Sequence, residues 1–419
     1  MRSSRLASHS RPYSIRGATS ASVGLMMALS AAANGAAYRV EVMTIPNGGV
    51  QTAEAINSSG IAAVSLFGPA QAGTWDGGLK RALFAAGSDP WVVALGINDQ
   101  NTVVGYTGNA SQDLAPVKWP AGATAAIELP TFGIRFGRAL DINDAGDIVG
   151  SLDLTLQFGD NDNQAVLWPA SGGVVALIIN QPGEFSDARA INNRGDIVGE
   201  NQRQAYFRPA GANSAAQNIG TLGASFSYAV DVNDFGEVVG NSREQFGAVD
   251  LPFRWRDTTG VMVSLGTLRG VGAFAQAINN RGQIVGHDAI SSSSASTDRA
   301  FIINPGGTMT DLNTLIPATS GWTLTRATAI NNAGVIVGVG RFQNQEQAFI
   351  LTPDSPAAFV PCLADLNRDL SINTADLVRL LGDFGQSGAP GFASDVNGDG
   401  SVNTSDLVFF LGAFGASCT

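Results

Sequence analysis

One short phrase recurs seven times along these 419 residues. It consists of an apolar residue, Asn, two variable positions, a turn Gly, an apolar pair and a closing Gly. Two full copies are Ile142-Asn143-Asp144-Ala145-Gly146-Asp147-Ile148-Val149-Gly150 and Ile191-Asn192-Asn193-Arg194-Gly195-Asp196-Ile197-Val198-Gly199. Others begin at Val232-Asn233, Ile278-Asn279 and Ile330-Asn331, and looser ones at Ile56-Asn57 and Ile97-Asn98. Successive Asn residues are 41, 45, 49, 41, 46 and 52 apart. A period of that length signals a repeat architecture in which each unit buries its apolar face against the next.

The chemistry of one unit is that of short strands. Asn opens a type I turn, and Gly follows where the chain needs positive φ. Asn101 replaces that Gly in the second copy, and Asn tolerates the same conformation best. The closing Gly recurs at 105, 150, 199, 240, 286 and 338, with Val64 as the exception, which predicts a bulge or close backbone approach. A third strand is small-aromatic, as in Ala165-Val166-Leu167-Trp168 and Ala300-Phe301-Ile302. A fourth is expected at Ile219-Gly220-Thr221-Leu222 and Leu265-Gly266-Thr267-Leu268.

Four strands in about 45 residues make one propeller blade. The last unit has three strands, ending at Ala348–Leu351, while Tyr38–Met43 is a spare strand ahead of the first. Pairing these two would close the ring and remove its free edges. The expectation is an all-β, seven-bladed propeller of four-stranded blades over residues 38–351, closed by the N-terminal strand. The first unit shows no clear fourth strand between Leu83 and Trp91, so counts of six or eight stay open, with an open solenoid as the structural rival.

The Ala-Phe strand, the Leu-Gly-Thr-Leu segment and the Ile-Asn-Asn-x-Gly-x-Ile-Val-Gly hairpin together resemble the HAF-type probable extracellular repeat. The His of that family's pattern is replaced by Arg299 and Gln347 in the best copies. The resemblance implies an extracellular propeller and no particular activity.

After Pro353, Pro356 and Pro361 the sequence changes character, with residues 352–361 read as a linker. Two segments 30 residues apart then carry hard-oxygen side chains in the spacing of a Ca²⁺ loop. The first has Asp365, Asn367, Asp369, Ser371, Asn373 and Asp376, and the second Asp395, Asn397, Asp399, Ser401, Asn403 and Asp406. Gly400 occupies the sharp bend of the second loop and Leu370 that of the first, so the second is expected to bind more tightly. Each loop leads into an amphipathic helix, with Leu377, Leu380, Leu381 and Phe384 in one and Leu407, Phe410, Leu411 and Phe414 in the other. Gly385 and Gly415 supply the stops.

Two such half-EF-hands over 362–419, with Asp at the last ligand position, resemble a type I dockerin. The resemblance implies Ca²⁺ as cofactor. It also implies a cohesin-like or cell-envelope partner contacted through helix-start residues, here Thr374-Ala375 and Thr404-Ser405. Cys362 and Cys418, the chain's two cysteines, bracket this segment and are expected to pair. In the chain-entropy picture a loop of that size adds about 4 kcal/mol.

Charge and targeting bound the function further. Arg2, Arg5, Arg11 and Arg16 precede an apolar stretch near Val23–Ala33 and the small residues Asn34-Gly35-Ala36-Ala37, the layout of a secretory signal peptide over 1–37. Its removal leaves 20 basic against 35 acidic residues, a net charge of −15. That charge argues against nucleic acid as partner, and no apolar run is long enough for a membrane span.

Catalytic constellations are sparse. His287 is the single His beyond the leader and is expected in a loop. Asp144, Asp147, Asp196, Asp234 and Glu237 flank turns, where they read as solvated hairpin chemistry; Asp153, Asp160, Asp162 and Glu184 are unpaired in sequence. The favoured reading is a secreted, non-catalytic propeller that binds protein or glycan on its face and is attached through the Ca²⁺-dependent tail. The alternatives are a polysaccharide-degrading glycoside hydrolase or lyase, which needs only two carboxylates, and a passive matrix component.

Overall fold

The computed structural model describes residues 37–354 apart from 46–47, 67–71, 86, 88, 110–113, 134–135, 154–162, 179–183, 212–213, 245–248, 258, 271 and 290–297. In the C-terminal part it describes 364–366, 372–386, 394, 396 and 401–415. The leader expected over 1–37 thus falls almost wholly outside the described residues, as do Cys362 and Cys418.

Among the described residues the strands form seven antiparallel sheets arranged as consecutive propeller blades. Their innermost strands, taken as blades 1 to 7, are Gly48–Ile56, Trp91–Ile97, Gly137–Ile142, Ser186–Ile191, Gly223–Val232, Ala273–Ile278 and Trp322–Ile330. The ring closes as the chain ends foretell. Tyr38–Val42 pairs antiparallel with Gln345–Pro353 and supplies the outer strand of blade 7. Blade 1 does have its fourth strand, but at Leu79–Leu83, ahead of the interval in which the repeat spacing places it. A two-residue strand, Thr44–Ile45, extends that same sheet to five. The outer strands of blades 4 and 5 are Gln217–Gly220 and Met262–Ser264. The segment Leu265–Leu268 therefore follows its strand rather than forming it, because Gly266 at φ +73° turns the chain away.

The turn chemistry is realised in every blade. Positive φ falls on Gly60, Asn101, Gly146, Gly195, Gly236, Gly282 and Gly334, so Asn101 takes the glycine conformation. The closing Gly faces a bulge on the innermost strand. In blade 3 the register slips between Ala139 and Asp141, and a Cβ on Gly150 would lie 2.0 Å from the Arg138 carbonyl oxygen. Blade 5 repeats this at Ala229/Asp231, with Gly240 against Tyr228 O at 2.1 Å. Bulge and close approach go together in the six blades that carry the closing Gly, whereas in blade 1 Val64 faces the bulge at Ala53/Ala55.

Apolar burial is laid between blades instead of in one central mass. Ala190, Val198 and Phe207 of blade 4 pack with Ala229, Val238, Phe253 and Trp255 of blade 5. Val337, Ala348 and Ile350 of blade 7 pack with Ala53, Ala62 and Val64 of blade 1. Val64, the exception to the closing Gly, is thus part of the closing seam.

The C-terminal part is two short helices, α1 (Thr374–Gly382) and α2 (Thr404–Ala413). They share a core with Ala364, Leu366, Ile372, Leu380, Val396, Phe410 and Ala413. Backbone bonds cross between the two halves, from Gly385 N–H to Val402 O and from Gly415 N–H to Ile372 O, each 2.8 Å. Gly385 and Gly415 take φ +88° and +86° just past the helices, as stops should.

Candidate functional sites at the channel mouth and in the C-terminal loops

The seven Asn residues that mark the repeat form a closed ring. The side-chain N–H of each donates to the backbone carbonyl of the next: Asn57 to Asn98, Asn98 to Asn143, Asn143 to Asn192, Asn192 to Asn233, Asn233 to Asn279, Asn279 to Asn331, and Asn331 back to Asn57. The distances run from 2.9 to 3.2 Å. The same side chains each accept, through Oδ1, the N–H four residues on, which holds their own turn. One residue type therefore serves the hairpin and the seam together, and this is why the repeat insists on Asn: Asp would lack the donor and Ser the reach.

The next position builds an outer tier. Ser58, Asp99, Asp144, Asn193, Asp234 and Asn280 donate their backbone N–H to Oδ1 of Asp99, Asp144, Asn193, Asp234, Asn280 and Asn332 respectively, at 2.8–2.9 Å. Together the two tiers line a polar cavity of about 180 Å³ at one mouth of the central channel. Burial, with Asp99 and Asp234 nearby, pushes the Asp144 carboxyl above the usual range. Among the described residues no three His, Cys, Asp or Glu side chains converge as a metal-binding group.

Several expectations drawn from the sequence change here. Asp196 and Glu237 are buried, not solvated. Asp196 Oδ1 accepts from Ala210 N–H at 2.9 Å, while Glu237 pairs with Arg256 at 2.6 Å and accepts from Asn233 at 2.9 Å. They tie the hairpin to the third strand. His287 sits inside the strand Ile284–Asp288 rather than in a loop, stacked on Phe274 at 5.2 Å between ring centroids. Burial pushes its pKa down to about 4, with Arg326 adding to the effect, so it is neutral at pH 7. Asp160 and Asp162 lie outside the described residues, and Asp153 ends the strand Ile148–Asp153.

In the C-terminal loops the structure describes six of the twelve oxygen-bearing positions: Asp365, Asn373, Asp376, Ser401, Asn403 and Asp406. Asn367, Asp369, Ser371, Asp395, Asn397 and Asp399 lie outside the described residues. Asp376 and Asp406 are wholly buried at the first turn of their helices, and Asp365 is buried too. Asp376 Oδ2 accepts from Asn373 N–H at 2.9 Å and Asp406 Oδ2 from Asn403 N–H at 2.8 Å, half of a capping box in each case. Asn373 and Asn403 complete it by accepting from Ala375 and Ser405 N–H at 2.8 and 2.7 Å. Their side-chain oxygens are thus engaged at the helix starts. In the first loop the carboxylates at positions one and twelve, Asp365 and Asp376, are both buried, the chemistry that a hard cation such as Ca²⁺ takes.

The predicted apolar faces of the helices divide. Leu380 and Phe410 are fully buried, but Leu381, Phe384, Leu411 and Phe414 are exposed. So are Val378 and Val408, each at 70%, two residues that fall outside the predicted apolar period. Thr374, Ala375, Val378 and Leu381 line one exposed face, and Thr404, Ser405, Val408 and Leu411 its copy.

Residues 363–410 match the dockerin type I domain. No curated protein matches the chain. Solved structures of similar shape include a streptogramin B lyase, at TM-score 0.47 and 9% identity, covering 76% of this chain and 98% of that one. A catalytically inactive virginiamycin B lyase from Staphylococcus aureus, solved with quinupristin, gives 0.47 and 8%, covering 75% and 99%. An oligogalacturonate lyase in complex with manganese gives 0.46 and 10%, covering 76% and 97%.

Proposed function

We propose that this is an exported protein whose propeller is a non-catalytic recognition body, docked by a Ca²⁺-dependent C-terminal module to a cohesin-type receptor outside the cell. In this reading residues 1–37 are the leader, 38–351 the propeller of HAF-type repeats, 352–361 a linker and 362–419 the docking module. The observation that carries it is the dockerin match over 363–410, in a segment whose two helices expose equivalent apolar faces. Among the described residues no helix is long and apolar enough to cross a membrane, which is consistent with attachment through a partner.

Ca²⁺ would be held by Asp365, Asn367, Asp369, the Ser371 carbonyl and Asp376 in the first loop. Asp395, Asn397, Asp399, the Ser401 carbonyl and Asp406 would hold it in the second. The ion neutralises carboxylates crowded at one helix start and so fixes the loop against the helix. Asp376 and Asp406 each orient a capping Asn at the same time, which couples loop order to helix start. A disulfide between Cys362 and Cys418 would hold the ends of the module together. The exposed Val378/Leu381 and Val408/Leu411 faces supply the apolar contact, and the propeller carries the protein or glycan ligand.

The test is capture of a panel of cohesin domains by the full mature chain, with Ca²⁺ and with chelator. Ca²⁺-dependent capture, lost in a Val378→Asp/Val408→Asp variant that keeps its helix content, is the expected result. Capture that ignores both chelator and substitution would sink the docking role.

A further inference from the structure

In six blades the innermost strand is a sheet edge whose backbone N–H groups need acceptors, while in blade 1 Thr44–Ile45 pairs with it. In two blades a carboxylate supplies them. Asp141 accepts from Ile142 N–H at 2.8 Å and, across the seam, from Ile191 N–H of blade 4 at 2.9 Å. Asp231 accepts from Val232 N–H at 2.8 Å and from Ile278 N–H of blade 6 at 2.7 Å. The other five blades carry Ala55, Gly96, Ala190, Ala277 and Ala329 at this place. Asp141 also lies against blade 2, where a Cβ on Gly96 would come within 3.3 Å of its Oδ1. Among the described residues the charged groups that act on these two carboxyls are acids: Asp144 on Asp141, and both Asp141 and Asp234 on Asp231. The tier above adds Asp99, which acts on Asp144.

We propose that the channel is a proton-responsive brace. At acid pH Asp141 and Asp231 join blades 3–4 and 5–6 as neutral carboxyls. As pH rises they ionise against each other and against Asp144 and Asp234, and the ring loosens. Burial pushes Asp141 up to about 6 and Asp231 up to about 7. The accepted N–H bonds favour the ionised form but are outweighed by burial and repulsion. Both folded values lie above the unfolded one, so the stabilisation is complete below about pH 4 and is lost as pH climbs through 6 and 7.

The experiment is thermal unfolding of the full mature chain with Ca²⁺ present, from about pH 5 to about pH 8, against Asp141→Asn, Asp231→Asn and the double variant. The readout is the pH slope of the propeller midpoint, because Asn surrenders one accepted bond and absolute stability would shift for that reason alone. The wild-type midpoint is expected to fall by several degrees more across this range than that of the double variant. Equal slopes overturn the proposal. Should the double variant not fold, carboxyl ¹³C titration of the wild type and of Asp231→Asn decides. Wild-type midpoints near 6 and 7, with Asp141 moving toward acid once Asp231 is neutralised, support it. Midpoints near 4 for both carboxyls overturn it.

Discussion

The propeller and the C-terminal module are both built from repeats rich in Asn and Asp, yet they use those side chains in opposite ways. Seven units form a closed circle, so each Asn finds its acceptor on the next blade and the last returns to the first. The two units of the module instead bond to each other reciprocally, through Gly385 and Gly415. Among the described residues Asp376 and Asp406 are buried at the helix starts, and Val378, Leu381, Val408 and Leu411 are left exposed. The propeller satisfies its repeat Asn side chains within the ring, whereas a module of under 60 residues has a small core and gains most from a staple such as a bound ion.

The largest effect that would sharpen this contrast is metal removal. Chelation is expected to collapse the helical signal of the module while the propeller's thermal transition stays in place, as followed by circular dichroism. At a thousandfold excess over its dissociation constant one bound ion adds about 4 kcal/mol, more than so small a core has to spare. Helix content that survives chelation would break the contrast.

Next come the glycines. Gly240→Ala drives a Cβ to 2.1 Å from Tyr228 O and is expected to cost about 3 kcal/mol, since backbone must move. Gly382→Ala in α1 meets nothing within 4 Å and is expected to stabilise the module by up to about 1 kcal/mol. Urea unfolding of the two variants should move in opposite directions.

His287 provides an acid-side test of the propeller. Its folded pKa lies below the unfolded value, so its contribution is present above about pH 6.5 and lost as pH falls through 4. His287→Phe is expected to remove roughly 3 kcal/mol of acid sensitivity without touching behaviour at pH 8. An unchanged acid limb would show that the imidazole titrates in the open.

The smallest expected cost is one member of the ring. Asn233→Ala loses the donor to Asn279 O and the acceptor that holds its turn, about 2 kcal/mol by hydrogen-bond deletion. At Asn98, where the residue four positions on is Thr102 instead of an acid, Asn98→Asp keeps the acceptor for Thr102 N–H and removes the seam donor to Asn143 O, so comparing it with Asn98→Ala apportions hairpin and seam.

Much of the fold is legible in the chain itself. The Asn-x-x-Gly phrase specifies the turns, and the spare N-terminal strand foretells the closure seen at Tyr38–Val42. A quieter signal is the Ala four residues before each Asn, at 53, 94, 139, 188, 229, 275 and 327, which opens the bulge opposite the closing Gly, or opposite Val64 in blade 1, and gains its meaning only from the pairing register. The fourth strand of blade 1 is not legible, because Leu79–Leu83 carries no repeat phrase and is identified only by its pairing. Nor does His287 announce its strand, since a lone His in a Gly-rich stretch has no strand signature of its own.

By itself the sequence determined what depends on neighbours along the chain: turn geometry, strand period, helix starts and the identity of the oxygen-bearing loops. Only the tertiary structure decided what depends on neighbours across a seam. Asn233 reaches Asn279 46 residues away, Asp231 and Asp141 act on one another although blade 4 lies between them in the chain, and Leu381 stays in water although its period says core. A local pattern states which face a side chain is on; how crowded or charged that face becomes is set by the units that close against it.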